Sequence, residues 1–277
     1  MAPVSVSGRP RALITGASSG IGMAFAERLA REGYDLALVA RRRGRLEGLA
    51  DRLRADPGVQ ADVICADLTD PKDLVKVEAR ISGDDALALL VNNAGFGGYQ
   101  PFSSVEPRVL DNLIDIHVRA VTRLTRAALT GMIRRGQGWI INISSLLALT
   151  GTLPPNPLPH RATYAAAKAY MLTFTQTIAS ELHGTGVGVQ VCLPGRVSTE
   201  FHTSQGIDIS KWPPMMTADD IVTASLAALA HGEVVCIPGL TDAALFDRIG
   251  EMQIAIFRGA ALQPQLAERY CPSASKA

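Results

Sequence analysis

Between the apolar run Arg11-Ala-Leu-Ile-Thr15 and a stretch that sets Phe25, Leu29 and Ala30 on one helical face lies Gly16-Ala-Ser-Ser-Gly20-Ile-Gly22. No other segment restricts the fold as much. A strand that passes through glycines straight into a helix builds a turn where the backbone comes close to a ligand. The free N–H groups and positive end of that helix then meet a negative charge. The spacing is G-x-x-x-G-x-G rather than G-x-G-x-x-G, so the flanking strand and helix carry the reading. Gly16, Ser18, Ser19, Gly20, Ile21 and Gly22 are therefore candidate contacts to a pyrophosphate.

The same alternation continues along the chain. Short apolar runs at Asp35–Ala40, Ala61–Ala66, Ala86–Val91, Trp139–Ile143, Val187–Leu193 and Val234–Ile237 read as strands. Helix-period segments separate them: one opened by Pro71, one from Val105 to Gly136, one from Tyr164 to about His183, and Thr217–Ala230. Such alternation predicts right-handed βαβ units and a doubly wound parallel sheet. With no repeat or linker visible, residues 1–277 read as a single domain with its core at about 11–240. A further helix over about 241–262, with Leu245, Ile249, Met252, Ile256 and Phe257 at helical spacing, precedes an irregular tail.

Composition excludes several classes. A net charge of +1 gives no basis for nucleic acid or an acidic membrane as a general partner. Cys65, Cys192, Cys236 and Cys271 are widely spaced, with no C-x-x-C and no His at metal spacing, so they read as reduced and no metal is expected. No apolar run reaches the roughly 18 residues that span a bilayer, and the first ten residues lack a secretory h-region. A cytoplasmic enzyme is expected.

The tip of the second strand indicates which dinucleotide. An acid there would bind a ribose 2′-hydroxyl, whereas arginine accommodates a 2′-phosphate. The chain has Arg41-Arg-Arg-Gly-Arg45 and no Asp or Glu at the tip, which predicts NADP(H) over NAD(H); the bland reading is a solvated helix start. Arg41 is the first candidate and Arg42 the second. Asp67 and Leu68, after the third strand, fall beside the adenine.

Chemistry is suggested by Tyr164 and Lys168, four apart on one helical face. An ammonium beside a phenol favours the phenolate and lowers its pKa from about 10. A phenol so tuned exchanges a proton with a substrate oxygen.

Together these segments resemble the short-chain dehydrogenase/reductase family over about residues 11–240. Thr15–Gly22 is similar to its glycine motif, and Asn92-Asn93-Ala94-Gly95 to its strand-stabilising and cofactor-wall motif. Ser145, Tyr164 and Lys168 match its catalytic set, and Pro194-Gly195-Arg196-Val197-Ser198-Thr199 its nicotinamide-holding segment. The resemblance implies a Rossmann-like seven-stranded sheet of order 3-2-1-4-5-6-7. It also implies cofactor contacts from Asn93, Ala94, Gly95, Tyr164, Lys168, Pro194, Gly195, Val197 and Thr199. Tyr164 would move the proton, Ser145 (rather than Ser144) would hydrogen-bond the same oxygen, and Lys168 would hold the ribose and depress the Tyr164 pKa. The family's interface helices imply a homodimer or homotetramer.

Two departures stand out. Where the family has an asparagine in its proton relay this chain has His117, and Asn112 lies about 140° round the helix from it. His117 is either a core histidine or a relay group, and a relay of that kind would titrate near neutrality. The Ser145-to-Tyr164 spacing is also long, because Thr150–His160 adds a loop with Pro154, Pro155, Pro157 and Pro159, read as an ordered wall beside the substrate. Phe96, Tyr99, Phe102, Phe201, Trp212 and Met215 supply apolar surface for a hydrophobic ketone or secondary alcohol. The rival readings are a lyase or epimerase on the same fold and a non-catalytic NADP-binding regulatory protein.

Overall fold

A computed structural model describes residues 8–55, 58–156, 158–261 and 263–271. Pro157 of the proline loop, Leu262 at the expected end of the last helix and the tail beyond residue 271 lie outside the described residues. The chain divides into two compact units, the first ending at Pro238 and the second beginning at Gly239.

The first unit opens with β1 (Arg11–Thr15), α1 (Gly20–Arg31), β2 (Asp35–Ala40), α2 (Arg43–Arg54), β3 (Ala61–Cys65), α3 (Pro71–Ser82) and β4 (Leu87–Asn92). It continues through α4 (Pro107–Ile114), α5 (Ala120–Arg135), β5 (Gly138–Ile143), α6 (Ala162–Glu181) and β6 (Val187–Cys192). It closes with β7 (Val197–Ser198), α7 (Glu200–Thr203), β8 (Met216–Thr217), α8 (Ala218–Ala230) and β9 (Val235–Cys236). The main sheet has the order β3-β2-β1-β4-β5-β6-β9. That is the expected order, its last strand being counted later because β7 and β8 form a separate pair. Every neighbouring pair in the main sheet is parallel.

Successive strand residues face opposite ways, so each parallel strand feeds two cores. Ile14, Leu38, Leu89 and Ile141 pack with Phe25 and Leu29 of α1 on one face. Leu13, Val39, Leu90 and Ile140 pack with Leu74 and Leu124 on the other. A polar seam crosses this apolar ground. Asn92 Nδ2 donates to Thr125 Oγ1 (3.1 Å) and Asn142 Oδ1 (2.9 Å), and Asn142 Nδ2 donates to Thr175 Oγ1 (2.9 Å). These buried bonds leave few polar groups unpaired and fix β4 and β5 against α5 and α6. The site elements are thereby held in register.

At β1 the strand order reverses, with β2 on one side and β4 on the other. Such a switch point opens a crevice at the carboxyl ends of the strands, where open α/β sheets bind ligands.

One local feature differs from the sequence expectation. The single helix expected after Val105 is interrupted by a π-helical turn, Asp115–Arg119, joining α4 to α5. A π-turn holds an extra residue per turn and frequently occurs at functional sites. His117 sits in it, fully buried.

In the second unit α9 (Ala244–Ala261) is amphipathic, and none of its residues is buried.

Candidate active site

The glycine turn is close-packed against the tip of β4. Gly16 has φ +69°, and a Cβ there would lie 2.7 Å from Asn93 Nδ2; one on Gly22 would lie 2.4 Å from the Gly16 carbonyl oxygen. Thr15 Oγ1 accepts the N–H groups of Asn93 (2.9 Å) and Ala94 (3.1 Å), and Asn93 Nδ2 donates to Thr15 O (3.0 Å). The start of α1 has no side-chain cap and no acid in its first turn. Its leading N–H donors are therefore left for a ligand. A tight glycine cradle ending in an uncapped helix start fits the pyrophosphate of a dinucleotide.

The two arginine candidates separate. Arg42 donates through Nε and Nη2 to Ser18 Oγ (3.1 and 3.0 Å) and through Nη2 to Ser19 Oγ (2.6 Å). Arg41 instead points to Asp67, 3.7 Å away, with its side chain 70% exposed. Alternation at a strand end sends adjacent side chains to opposite sides, so the neighbour of the first candidate reaches the turn. Leu68 is buried, and Asp67 Oδ1 accepts from Thr69 N and Oγ1 (3.0 and 2.8 Å).

The candidate reacting centre lies at the end of β5. Ser144 is buried and donates to the Lys168 carbonyl at 2.8 Å, pinning α6 to the strand. Ser145 Oγ accepts from Leu147 N (3.1 Å), and its hydroxyl acts on Tyr164, pulling the phenol's pKa downward. Of the adjacent serines, Ser145 thus faces the phenol. Tyr99, which the sequence suggested only as apolar surface, packs its ring edge-on against Tyr164 at 5.4 Å.

The expected lowering of the Tyr164 pKa is not found. Burial pushes it up to about 12, outweighing the neighbouring Ser145 and Tyr99 hydroxyls, which act downward. Burial pushes Lys168 down to about 7. The ammonium gives the phenol little help because Lys168 Nζ donates to Ile143 O (2.8 Å) and stands 5.6 Å from the Tyr164 ring centroid. With both groups desolvated, the cost of either charge exceeds their mutual gain.

A relay at His117 titrating near neutrality is likewise corrected. Burial and, next, the charge of Lys168 hold His117 well below its ordinary value, so the ring is neutral. His117 Nε2 lies 2.9 Å from Phe96 O, which assigns the ring hydrogen to Nε2. Nδ1 is left as a buried acceptor without a partner among the described residues. The ring stands perpendicular to Tyr164 at 5.3 Å. Gly95 leaves room for it, since a Cβ there would meet His117 Cε1 at 2.2 Å.

A family model described as short chain dehydrogenase matches residues 10–209. The chain belongs to the short-chain dehydrogenase family. It is an oxidoreductase of that type, for which a nicotinamide dinucleotide is the cofactor. It is 32% identical over 233 residues to a very-long-chain 3-oxoacyl-CoA reductase of Anas platyrhynchos, covering 82% of this chain and 72% of that one. It is 31% identical over 228 residues to a 17-beta-hydroxysteroid dehydrogenase type 3 of Danio rerio, covering 80% and 70%. Among solved structures, a short-chain dehydrogenase from Sphingobium yanoikuyae in complex with NADPH matches with a TM-score of 0.88 at 38% identity, over 94% of this chain and 100% of that one. A bulky-bulky ketone specific alcohol dehydrogenase from Comamonas testosteroni matches with a TM-score of 0.86 at 35% identity, over 96% and 100%.

The segment Pro194–Thr199, expected from the resemblance to hold the nicotinamide, follows β6. Pro194 O accepts from Leu146 N (2.9 Å), and a Cβ on Gly195 would come 3.5 Å from Leu146. Val197 pairs with Met216, and Thr199 Oγ1 caps the next helix by accepting from Phe201 N (3.3 Å). Thr199 also faces the glycine turn, with a Cβ on Gly20 falling 3.3 Å from its side chain. In this member of the family the long loop before Tyr164 is tied down by a residue that motif reading missed. Arg161 is buried; its guanidinium donates to Thr150 Oγ1 (2.7 Å), Thr150 O (2.8 Å), Leu153 O (2.9 Å) and Pro159 O (3.0 Å). An arginine directly before the first residue of α6 and after Pro159 was the available signal.

Proposed function

We propose that this short-chain dehydrogenase transfers hydride between NADP(H) and a ketone or secondary alcohol carried on a bulky, largely hydrophobic substrate. The observation that carries the reading is the gathering of Ser145, Tyr164 and buried Lys168 at the end of β5, where Ser144 and Lys168 Nζ tie α6 to the strand (2.8 Å each) beside a glycine-lined crevice. The NADP preference is supported by Arg42, whose guanidinium lies on Ser18 and Ser19 without an acid at the β2 tip. The substrate class is supported by the ring cluster around the phenol: Phe201 lies 6.4 Å from Tyr164 and Trp212 lies 4.8 Å from His202. The names of the relatives above point to similarly bulky carbonyl compounds.

When bound, the nicotinamide supplies or takes up the hydride. The protein's own groups handle the oxygen and its proton. Tyr164 gives its hydroxyl proton to the carbonyl oxygen in reduction and recovers it in oxidation. Ser145 turns its O–H to the same oxygen, stabilising the charge where it develops. Lys168, on the Ile143 carbonyl, exchanges a proton near neutral pH and serves the recharging of the phenol. The cofactor itself would be held by Gly16, Ser18, Ser19, Gly20, Ile21 and Gly22, by Arg42, and by Asn93, Ala94, Gly95, Val197 and Thr199.

The test is loss of NADPH absorbance with a panel of bulky ketones, run in parallel with NADH. Tyr164→Phe is expected to lower turnover by roughly 10²- to 10⁴-fold while NADPH still binds. Substrate conversion without net oxidation of NADPH would move the reading to a lyase or epimerase. Homo-oligomerisation belongs to the same proposal, supported by the apolar groove that Ile114 of α4, Val118 of the π-turn, and Ala166 and Tyr170 of α6 line; a cytoplasmic location is proposed with it.

A further inference from the structure

Four polar side chains converge at the adenosine end of the crevice: Ser18 and Ser19 of the glycine turn, and Arg42 and Arg45 past the tip of β2. Such a set of hydroxyls and guanidinium forks is built to hold an anion. In this structure the anion is a carboxylate of the chain. Glu200 Oε1 receives Arg42 Nη2 at 3.0 Å and Arg45 Nη1 at 2.5 Å, while the same Arg42 Nη2 also donates to Ser19 Oγ at 2.6 Å.

Glu200 does not belong to the glycine turn or to β2. It heads α7 and directly follows Thr199, on the far side of the crevice. Its carboxyl is held below the usual carboxylate range: burial acts upward but is outweighed by Ser19, Arg42 and Arg45. The acid is therefore ionised wherever the enzyme is assayed near neutrality. One oxygen shared by two guanidiniums presents what a phosphate oxygen would.

We propose that Glu200 is a specificity-setting residue that competes with the cofactor's 2′-phosphate for Arg42 and Arg45 and so weakens the discrimination between NADP(H) and NAD(H). The inference rests on the NADP(H) reading above. A 2′-phosphate seated on these arginines must share them with Glu200 or displace it, and either course costs affinity. NADH, lacking that phosphate, meets no such competition.

The sign of the effect is what separates this role from a supporting one. If Glu200 merely orients the arginines, removing its charge weakens NADPH binding. If it competes, removing its charge tightens it. Exposed ion pairs are each worth little, so the expected tightening for Glu200→Gln is roughly three- to tenfold in the NADPH dissociation constant, with NADH changing less than about twofold. Binding is read by titration calorimetry on the wild type, E200Q and R42A, with adenosine 2′,5′-bisphosphate as a probe that carries the 2′-phosphate without the nicotinamide. Tighter binding of NADPH and of the bisphosphate to E200Q, with NADH unmoved, is the result expected. An unchanged or looser NADPH constant in E200Q overturns the competition. A wild type that binds NADPH no tighter than NADH, with R42A weakening both equally, overturns the NADP(H) reading and the competition with it.

Discussion

Gly95→Ala adds one methyl group between the tip of β4 and the buried ring of His117, and the structure fixes what that methyl meets. The new Cβ would stand 2.2 Å from His117 Cε1, 3.0 Å from Nδ1 and 3.2 Å from Nε2. Ordinary contact needs more than 3.4 Å, so the ring must retreat by over an ångström. It has nowhere to go at low cost: it is buried in a π-turn, anchored to Phe96 O at 2.9 Å and backed by Tyr164 at 5.3 Å. Overpacking a close-packed site costs about 1–3 kcal/mol, and loss of the anchoring hydrogen bond leaves a buried polar group at about 1–3 kcal/mol more. Together they predict about 2–6 kcal/mol of destabilisation. Gly95 does not adopt a positive φ, so no backbone strain enters the comparison. Gly48 is the control, an exposed position inside α2 with no heavy atom within 4 Å of an added Cβ. There alanine should stabilise by about 0.5–1 kcal/mol through helix propensity. Urea unfolding followed by tryptophan fluorescence reads both variants. A Gly95→Ala loss below about 1 kcal/mol, or equal effects at the two sites, would refute the argument from packing. Because the displaced ring presses on Tyr164, the same variant should also lose turnover out of proportion to NADPH affinity.

Three further outcomes follow from the site's electrostatics and its loop. Lys168 is depressed from 10.5 to about 7 by burial, so between those values the unfolded chain binds the extra proton and stability rises with pH. Relative to Lys168→Met, the wild type should therefore gain stability from about pH 7 to pH 10; parallel urea midpoints across that range would contradict the depressed value. Because buried His117 is neutral at ordinary pH, His117→Asn should leave the limbs of the pH–rate profile unmoved even if turnover falls, and a shifted limb would show that the ring does titrate. Arg161→Ala releases the four bonds that hold the loop before Tyr164. It should raise KM for a bulky ketone several-fold with little change in the NADPH dissociation constant, and Arg161→Lys should not rescue it, because an ammonium cannot reproduce the planar fork.

The sequence by itself showed the alternation of strands and helices, the parallel sheet it implies and the glycine turn, while the strand order and the choice of Ser145 came from the resemblance to a family. The first are local properties: periodicity of two or 3.6, glycines where the backbone must approach closely, and residue types at fixed spacing along one element. What it left open depends on side chains brought together from distant parts of the chain. Which arginine reaches the glycine turn was decided by the direction a side chain takes at the tip of β2. The pKa order of Tyr164 and Lys168 was decided by burial, which sequence spacing does not encode and which here overrides their proximity. His117 became a neutral, anchored ring only because a π-turn and the bare Gly95 surround it. The carboxylate on Arg42 and Arg45 comes from Glu200, more than a hundred positions away, and no local pattern announces such a pairing. Motif and period fix where a group sits on its own element; the crossing of elements at the switch point fixes what it touches, and charge, desolvation and competition are set by touch.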